Sequence, residues 1–262
     1  IGSRNCAEFL IKGISMLEYR GYDSAGMTVS NLTGFHTIKT VGKVKGLSEK
    51  LLKQPIKGTV GIAHTRWATH GKPSEANSHP HFGSKQKVAI VHNGIIENFR
   101  ELKVKLQKEG FAFSSETDTE VLAILIEKEL VACSLVEAVR AALLQIKGTY
   151  AIGVICTSEP DCLVAARMKS PLLIGVGKNE TFLASDAIPL LEHTREIIYL
   201  KDGEIAEIKS NKIAIQNIKG EPCLVKSEIC KLDPQQVALD GFDHFMLKEI
   251  FEQPSAIENA IV

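Results

Sequence analysis

The chain has 262 residues, 44% hydrophobic and 24% charged, and its 31 basic side chains balance 31 acidic ones. Such a balance leaves no basic excess for nucleic acid or an anionic membrane surface. No apolar run reaches the roughly 18 residues of a membrane span, and the start has no signal-peptide pattern. The six cysteines (Cys6, Cys133, Cys156, Cys162, Cys223, Cys230) are scattered without a CxxC pair. That usage fits reduced, mostly buried thiols in a cytoplasmic protein.

Asn5 to Tyr19 reads as a helix with Asn5 as its cap, one apolar face formed by Phe9, Leu10, Gly13, Ile14 and Leu17, and Gly21 as its stop. Gly26 to Val41 predicts two strands turning near Asn31 to Gly34. Thr59 to His64 and Val88 to His92 read as buried strands, joined by a polar loop rich in Gly, Pro and His. Loops of that length inside a compact domain are usually functional or disordered.

Ile96 to Lys108 is an amphipathic helix closed by Gly110. Asp118 starts another that runs to Leu130. Ser134, with Glu137 at capping-box spacing, opens a third that Gly148 stops. Strands follow at Tyr150–Thr157, Cys162–Met168, Leu172–Gly177, Thr181–Ser185 and Ile197–Ile208, the last split by the hairpin signal Asp202-Gly203. Beyond Lys219 the pattern is irregular, and Phe245 to Ile261 reads as a helical tail broken by Pro254. Strands, paired helices, then closely spaced strands predict an α+β fold of antiparallel sheets with helices packed outside.

The stretch from His64 to Asn98 concentrates the chemistry. It holds the only tryptophan and five of the eight histidines, and its apolar run Val88–Val91 ends abruptly in His92-Asn93-Gly94. A strand that ends in polar groups can hold a reaction centre rigidly. Arg66 is a planar cation suited to a carboxylate. Asn93 and the Gly94 N–H can form an oxyanion hole, and Asp118 can receive an ammonium group. Together they describe a pocket for an α-amino acid with a reactive side-chain carbonyl. Each also has a plain alternative: Arg66 as one half of a surface ion pair, Asp118 as a helix cap, Trp67 as core, Asn93-Gly94 as a turn. His79-Pro80-His81 invites a metal, but no carboxylate or thiol completes a ligand set, so neither metal nor cofactor is expected.

In Leu17 to Gly26, Thr65 to Gly71, His92 to Asn98, Glu116 to Val121 and Gly148-Thr149-Tyr150-Ala151 the chain resembles the glutaminase domain of glucosamine-6-phosphate synthases, which are class II glutamine amidotransferases. The likeness covers essentially the whole chain. It implies the fold of N-terminal-nucleophile hydrolases, a four-layer αββα sandwich of two antiparallel sheets. Residues 1–219 would form the glutaminase domain, lacking its first strand. Residues 220–262 would be an irregular segment and helical hinge toward a sugar-isomerase domain.

It also implies roles. Arg66 would bind the α-carboxylate of L-glutamine, helped by Thr69 and His70, with His79 a weaker candidate. Asp118 would take the ammonium, Asn93 and Gly94 the oxyanion, and Trp67 would close over the substrate. Arg20 would lie near the nucleophile. Members of the family begin with a Cys-Gly-Ile strand whose cysteine attacks glutamine, its own α-amino group acting as base. Here Ile1-Gly2-Ser3 matches the end of that strand, about six residues or roughly 20 Å of extended chain farther on. The chain as it stands is therefore expected to be inactive, its parent protein transferring ammonia to fructose 6-phosphate as a homo-oligomer. A relative that binds an amino acid or partner without catalysis is the alternative.

Overall fold

In a computed structural model the described residues are 1–68, 71–232, 242 and 245–261. They divide into a unit of Ile1–Ile229 and a second of Cys230–Val262. The first reaches beyond the boundary expected at Lys219 because two short strands, named below, join its sheets.

The first unit opens with α1 (Ala7–Met16) and a 3-10 turn at Glu18–Arg20, followed by β1 (Ser24–Asn31), β2 (Gly34–Val41), α2 (Val44–Lys53) and β3 (Val60–Arg66). Then come β4 (His81–Phe82), β5 (Val88–Ile96), α3 (Phe99–Lys108), α4 (Asp118–Glu129) and α5 (Leu135–Leu143). The strands β6 (Gly148–Cys156), β7 (Leu163–Met168), β8 (Leu173–Gly177), β9 (Glu180–Ala184), β10 (Glu196–Tyr199), β11 (Glu204–Lys209), β12 (Lys212–Asn217), β13 (Pro222–Cys223) and β14 (Glu228–Ile229) complete it.

They pair antiparallel into three sheets, in the orders β2-β1-β3, β14-β10-β8-β9 and β13-β12-β11-β7-β6-β5-β4. Alternation assigns the faces. Tyr150, Ile152, Val154 and Cys156 of β6 pack with α3, α4 and α5, whereas Ala151 and Ile155 face Val60, Ile62, Ile174 and Ile198 of the smaller sheets. Ala25, Met27 and Val29 of β1 face α1 and α2 through Ala7, Ile14, Val44 and Leu47. Helices, sheets, sheet and helices thus form the four layers of an αββα sandwich. From Val121 to Ile126 the middle of α4 is buried on every side. Each Val, Leu or Ile side chain there contributes about 1.5–3 kcal/mol by leaving water.

Several local expectations change. Helix α1 is shorter, and Asn5 accepts a hydrogen bond from the Gly58 N–H (3.2 Å) instead of capping it. Ser134 makes no side-chain cap; Glu137 pairs with Arg140, and α5 stops at Leu143 while Gly148 begins β6. Asp202-Gly203 is not a hairpin: β10 pairs with β8 and β14, β11 with β7 and β12, so the chain crosses from one β layer to the other. Asp202 serves the crossing by accepting from the Lys169 N–H (2.8 Å) and facing Arg167 (3.3 Å). In the second unit, α6 (Phe245–Ile261) runs through Pro254 without a break.

Candidate active site

Strand parity aims the side chains of the site. Along β3, His64 and Arg66 continue the inward row of Val60 and Ile62. Along β5, Val88, Ile90 and Ile96 face the helices, as does His92, while Ala89, Val91 and Asn93 face the other β layer. The strand does not end at His92 as expected. It continues to Ile96 against β6, with Gly94 opposite Tyr150, and Gly94 takes a φ of +138° that turns the local backbone.

A cavity of about 430 Å³ lies where these rows meet, lined among others by Arg20, Arg66, Trp67, His79, Asn93, Gly94 and Asp118. It continues between β3 and β9, the facing edge strands of the two smaller sheets. Ile1 and Gly2 bridge those edges: Ile1 exchanges hydrogen bonds with Thr181 (2.8 and 2.9 Å), and the Gly2 N–H donates to the Thr59 carbonyl (3.1 Å).

Arg66 is only 4% exposed, which sets aside the surface-pair alternative. Burial lowers its pKa, opposed by the carboxylates of Asp23, Asp118 and Glu116, and its Nη2 donates to the Gly71 carbonyl (3.4 Å). Asp118 is the first residue of α4, but the cap is Thr117, whose Oγ1 accepts from the Glu120 N–H. Asp118 reaches back instead, its Oδ2 accepting from the Ile96 N–H at 2.8 Å. The fold therefore fixes this carboxylate beside β5. Trp67 is 59% exposed and lies edge-on to Tyr22 (5.8 Å), outside the core. Asp23 holds the turn after it by accepting from the Ala68 N–H (2.8 Å).

Farther along the loop, Asn77 and Glu116 hydrogen-bond reciprocally and moor it to the segment before α4. Arg20 also lines the cavity, its Nη1 donating to Ser185 Oγ (3.5 Å) near Asp186. Thr69 and His70 lie outside the described residues.

Four histidines cluster at the cavity, with His64, His79 and His92 in its wall. The His79 ring lies 4.2 Å from that of His64 and 4.7 Å from that of His81. His81 shares a hydrogen bond with Thr117 Oγ1 (3.1 Å). His92 Nε2 donates to the Thr149 carbonyl (3.3 Å), leaving Nδ1 to accept from Thr119 Oγ1 (3.0 Å). Burial lowers all four pKa values, that of His64 to about 4. Among the described residues the group with ligand atoms close enough to share an ion is Glu159, Cys162 and Glu207, far from these imidazoles in sequence and including none of them. Sequence reading gave His64, Thr119 and Thr149 no part here. Only the β3 parity, which places His64 in register with Arg66, could have singled out the first.

The glutamine amidotransferase domain family matches residues 64–210, more than half of the chain and all of this constellation from His64 to Asp118. The chain belongs to that family. This glutamine amidotransferase domain is 48% identical to an isomerizing glutamine–fructose-6-phosphate aminotransferase of Bacteroides thetaiotaomicron, over all of this chain and 43% of that protein. It is 49% identical to the Haemophilus ducreyi enzyme of the same name, with the same coverage. It thus spans less than half the length of these curated relatives. Among solved structures, a glutamine phosphoribosylpyrophosphate amidotransferase from B. subtilis superposes with a TM-score of 0.72 at 25% identity, over 83% of this chain and 48% of that one. The αββα layers of the amidotransferase domain are those of the N-terminal-nucleophile hydrolases. No helix among its described residues is long and apolar enough to cross a membrane.

Proposed function

We propose that the cavity binds L-glutamine for hydrolysis to glutamate and ammonia. The observation that carries this reading is the meeting, in one cavity, of buried Arg66, Asp118 and the Asn93–Gly94 turn of β5. Arg66 takes the α-carboxylate and Asp118 the α-ammonium through the carboxylate oxygen not occupied by Ile96. Asn93 and the Gly94 N–H stabilise the tetrahedral oxygen, a contribution of about 3 kcal/mol per donor. Trp67, on an exposed turn, covers the bound substrate, and His79 supports the carboxylate end from behind, while Arg20 stands near the attacking group.

The nucleophile in this reading is a cysteine on a segment leading into Ile1 along the gap between β3 and β9. Cys6 is a poor substitute: it is buried at the start of α1, and burial pushes its thiol up to about 11, so it stays protonated at neutral pH. In the whole protein the ammonia passes to a sugar-isomerase domain that uses fructose 6-phosphate, reached through residues 220–262, in a cytoplasmic homo-oligomer. The likeness to the isomerizing aminotransferases supports that extension.

The test compares the chain with a version preceded by the family's Cys-Gly-Ile strand. Ammonia release from L-glutamine is expected only from the second, with binding alone from the first. Turnover by the 262-residue chain itself would return the nucleophile to Cys6. In the cysteine-bearing protein, Arg66→Ala should lower kcat/KM for glutamine about a hundredfold, because two charge-assisted hydrogen bonds are lost. An unchanged KM would contradict the carboxylate role.

A further inference from the structure

The hydrogen bond that holds Asn93 crosses between the β layers, joining its Oδ1 to His64 Nε2 at 2.9 Å. We propose that His64 is a positioning residue: it donates its Nε2–H to Asn93 Oδ1 and thereby turns the Asn93 amide N–H groups toward the reacting oxygen. This rests on the glutaminase reading above, because an orienter matters only if Asn93 meets an oxyanion.

A carboxamide has two ends of nearly equal shape and opposite polarity. Its NH₂ end stabilises a developing oxyanion, whereas its oxygen end would repel one. The far contact of the amide decides which end faces the cavity, and here that contact is an imidazole that can either donate or accept. The surroundings of His64 select donation. Its Nδ1 is buried with no hydrogen-bond partner, and a buried N–H without an acceptor is rarer and less tolerable than a bare lone pair. The single proton of the neutral ring therefore sits on Nε2.

A second proton is disfavoured because burial, with His92 and Arg66 nearby, outweighs the Asn93 hydrogen bond that would favour it, and the His79 ring packs 4.2 Å away. The strand contributes as well. Residues two apart on β3 share a face, so His64 and Arg66 are held by one rigid element, and the amide is oriented in register with the grip on the carboxylate.

The tautomer can be read directly on the unmodified chain. Long-range 1H–15N NMR at pH 7 should give a protonated Nε2 and an unprotonated Nδ1 for His64, and the opposite pattern would overturn the proposal. In the cysteine-bearing protein, His64→Phe keeps a ring and removes the donor. It should lower kcat ten- to a hundredfold with KM for L-glutamine changed less than twofold, and His64→Gln, whose amide can donate, should restore most of the loss.

Combining His64→Phe with Asn93→Ala should be no slower than Asn93→Ala alone, since one residue acts through the other. Additive losses, or a KM rising in step with the fall in kcat, would show a merely structural role. Normal turnover by Asn93→Ala would remove the oxyanion role itself, and the proposal with it.

Discussion

Gly94→Ala is expected to destabilise the protein by more than about 4 kcal/mol, the exceptional end of single substitutions. A Cβ at this position would lie 2.1 Å from the Thr149 carbonyl oxygen and 2.9 Å from His92 Nε2. Thr149 belongs to β6, which pairs with β5 along its whole length, so relief requires separating two strands inside the long sheet. The φ of +138° adds conformational strain for any L side chain. Gly34→Ala is the matched control. Its φ is +115°, yet nothing lies within 4 Å of its Cβ position, so strain acts there without overlap. Urea unfolding should place Gly94→Ala far below both Gly34→Ala and the parent protein. Similar midpoints for the two alanine variants would mean that β5 yields at Gly94 and that its backbone there is not rigidly held.

Mild acid is the second large effect. His64, His79 and His81 are held neutral in the folded protein by burial, with mutual repulsion adding for His79 and His81. In the unfolded chain they take up protons near the ordinary histidine pKa of about 6.5. Stability is therefore full above that value and falls as the pH drops below it, toward about 4 for His64. A histidine kept neutral throughout loses up to about 2 kcal/mol of stabilisation between pH 7 and pH 5, so three approach 6 kcal/mol. That compares with a total of about 5–15 kcal/mol for a typical domain. Unpaired carboxylates titrate lower, so the window isolates the histidines. Thermal melts at pH 7, 6 and 5 should show the decline, and His79→Asn should make it shallower whatever its effect at pH 7. A flat profile would mean that these rings are hydrated in solution.

Antiparallel sheets with helices outside were readable in the sequence from apolar runs bounded by turn residues and from amphipathic stretches such as that of α3. The four layers followed from the family resemblance, since β1, β6 and the middle of α4 are buried almost continuously and show no single apolar stripe. Where residues do two jobs, local rules failed. Asn5 and Ser134 have the chemistry of helix caps, yet the Asn5 side chain serves the Gly58 backbone and Ser134 forms no side-chain cap. Helix α2 went unread although Val44, Leu47 and Leu51 repeat at helical spacing. Its signal is weakened by Lys43, which has no capping oxygen; the first turn is held instead by Glu18, accepting from the Val44 N–H at 2.6 Å. Asp202-Gly203 announces a turn, but no dipeptide states which sheet the next strand will join. The candidate site divides in the same way. Arg66, Asn93 and Asp118 stood out by residue type, whereas the contact of Asp118 with Ile96 and that of His64 with Asn93 are products of tertiary structure.

The two ends of the cavity belong to different β layers: Arg66 to β3 in one, Asn93 and Gly94 to β5 in the other. What sets the distance between them is the packing between the layers. On the long sheet that surface mixes small residues, Ala89, Ala151, Ala165 and Ala206, with Ile155, Leu163, Ile208 and Ile215, packed with Val60, Ile62 and Ile174 of the smaller sheets. This core acts as a spacer whose thickness is fixed at the level of single methyl groups. Enlarging one of these alanines would shift Arg66 away from Asn93 and Gly94 while leaving every polar residue intact. The separation between the two halves of the cavity is thus set by a core of which, among these residues, only Ile62, Ala151 and Leu163 reach the cavity wall.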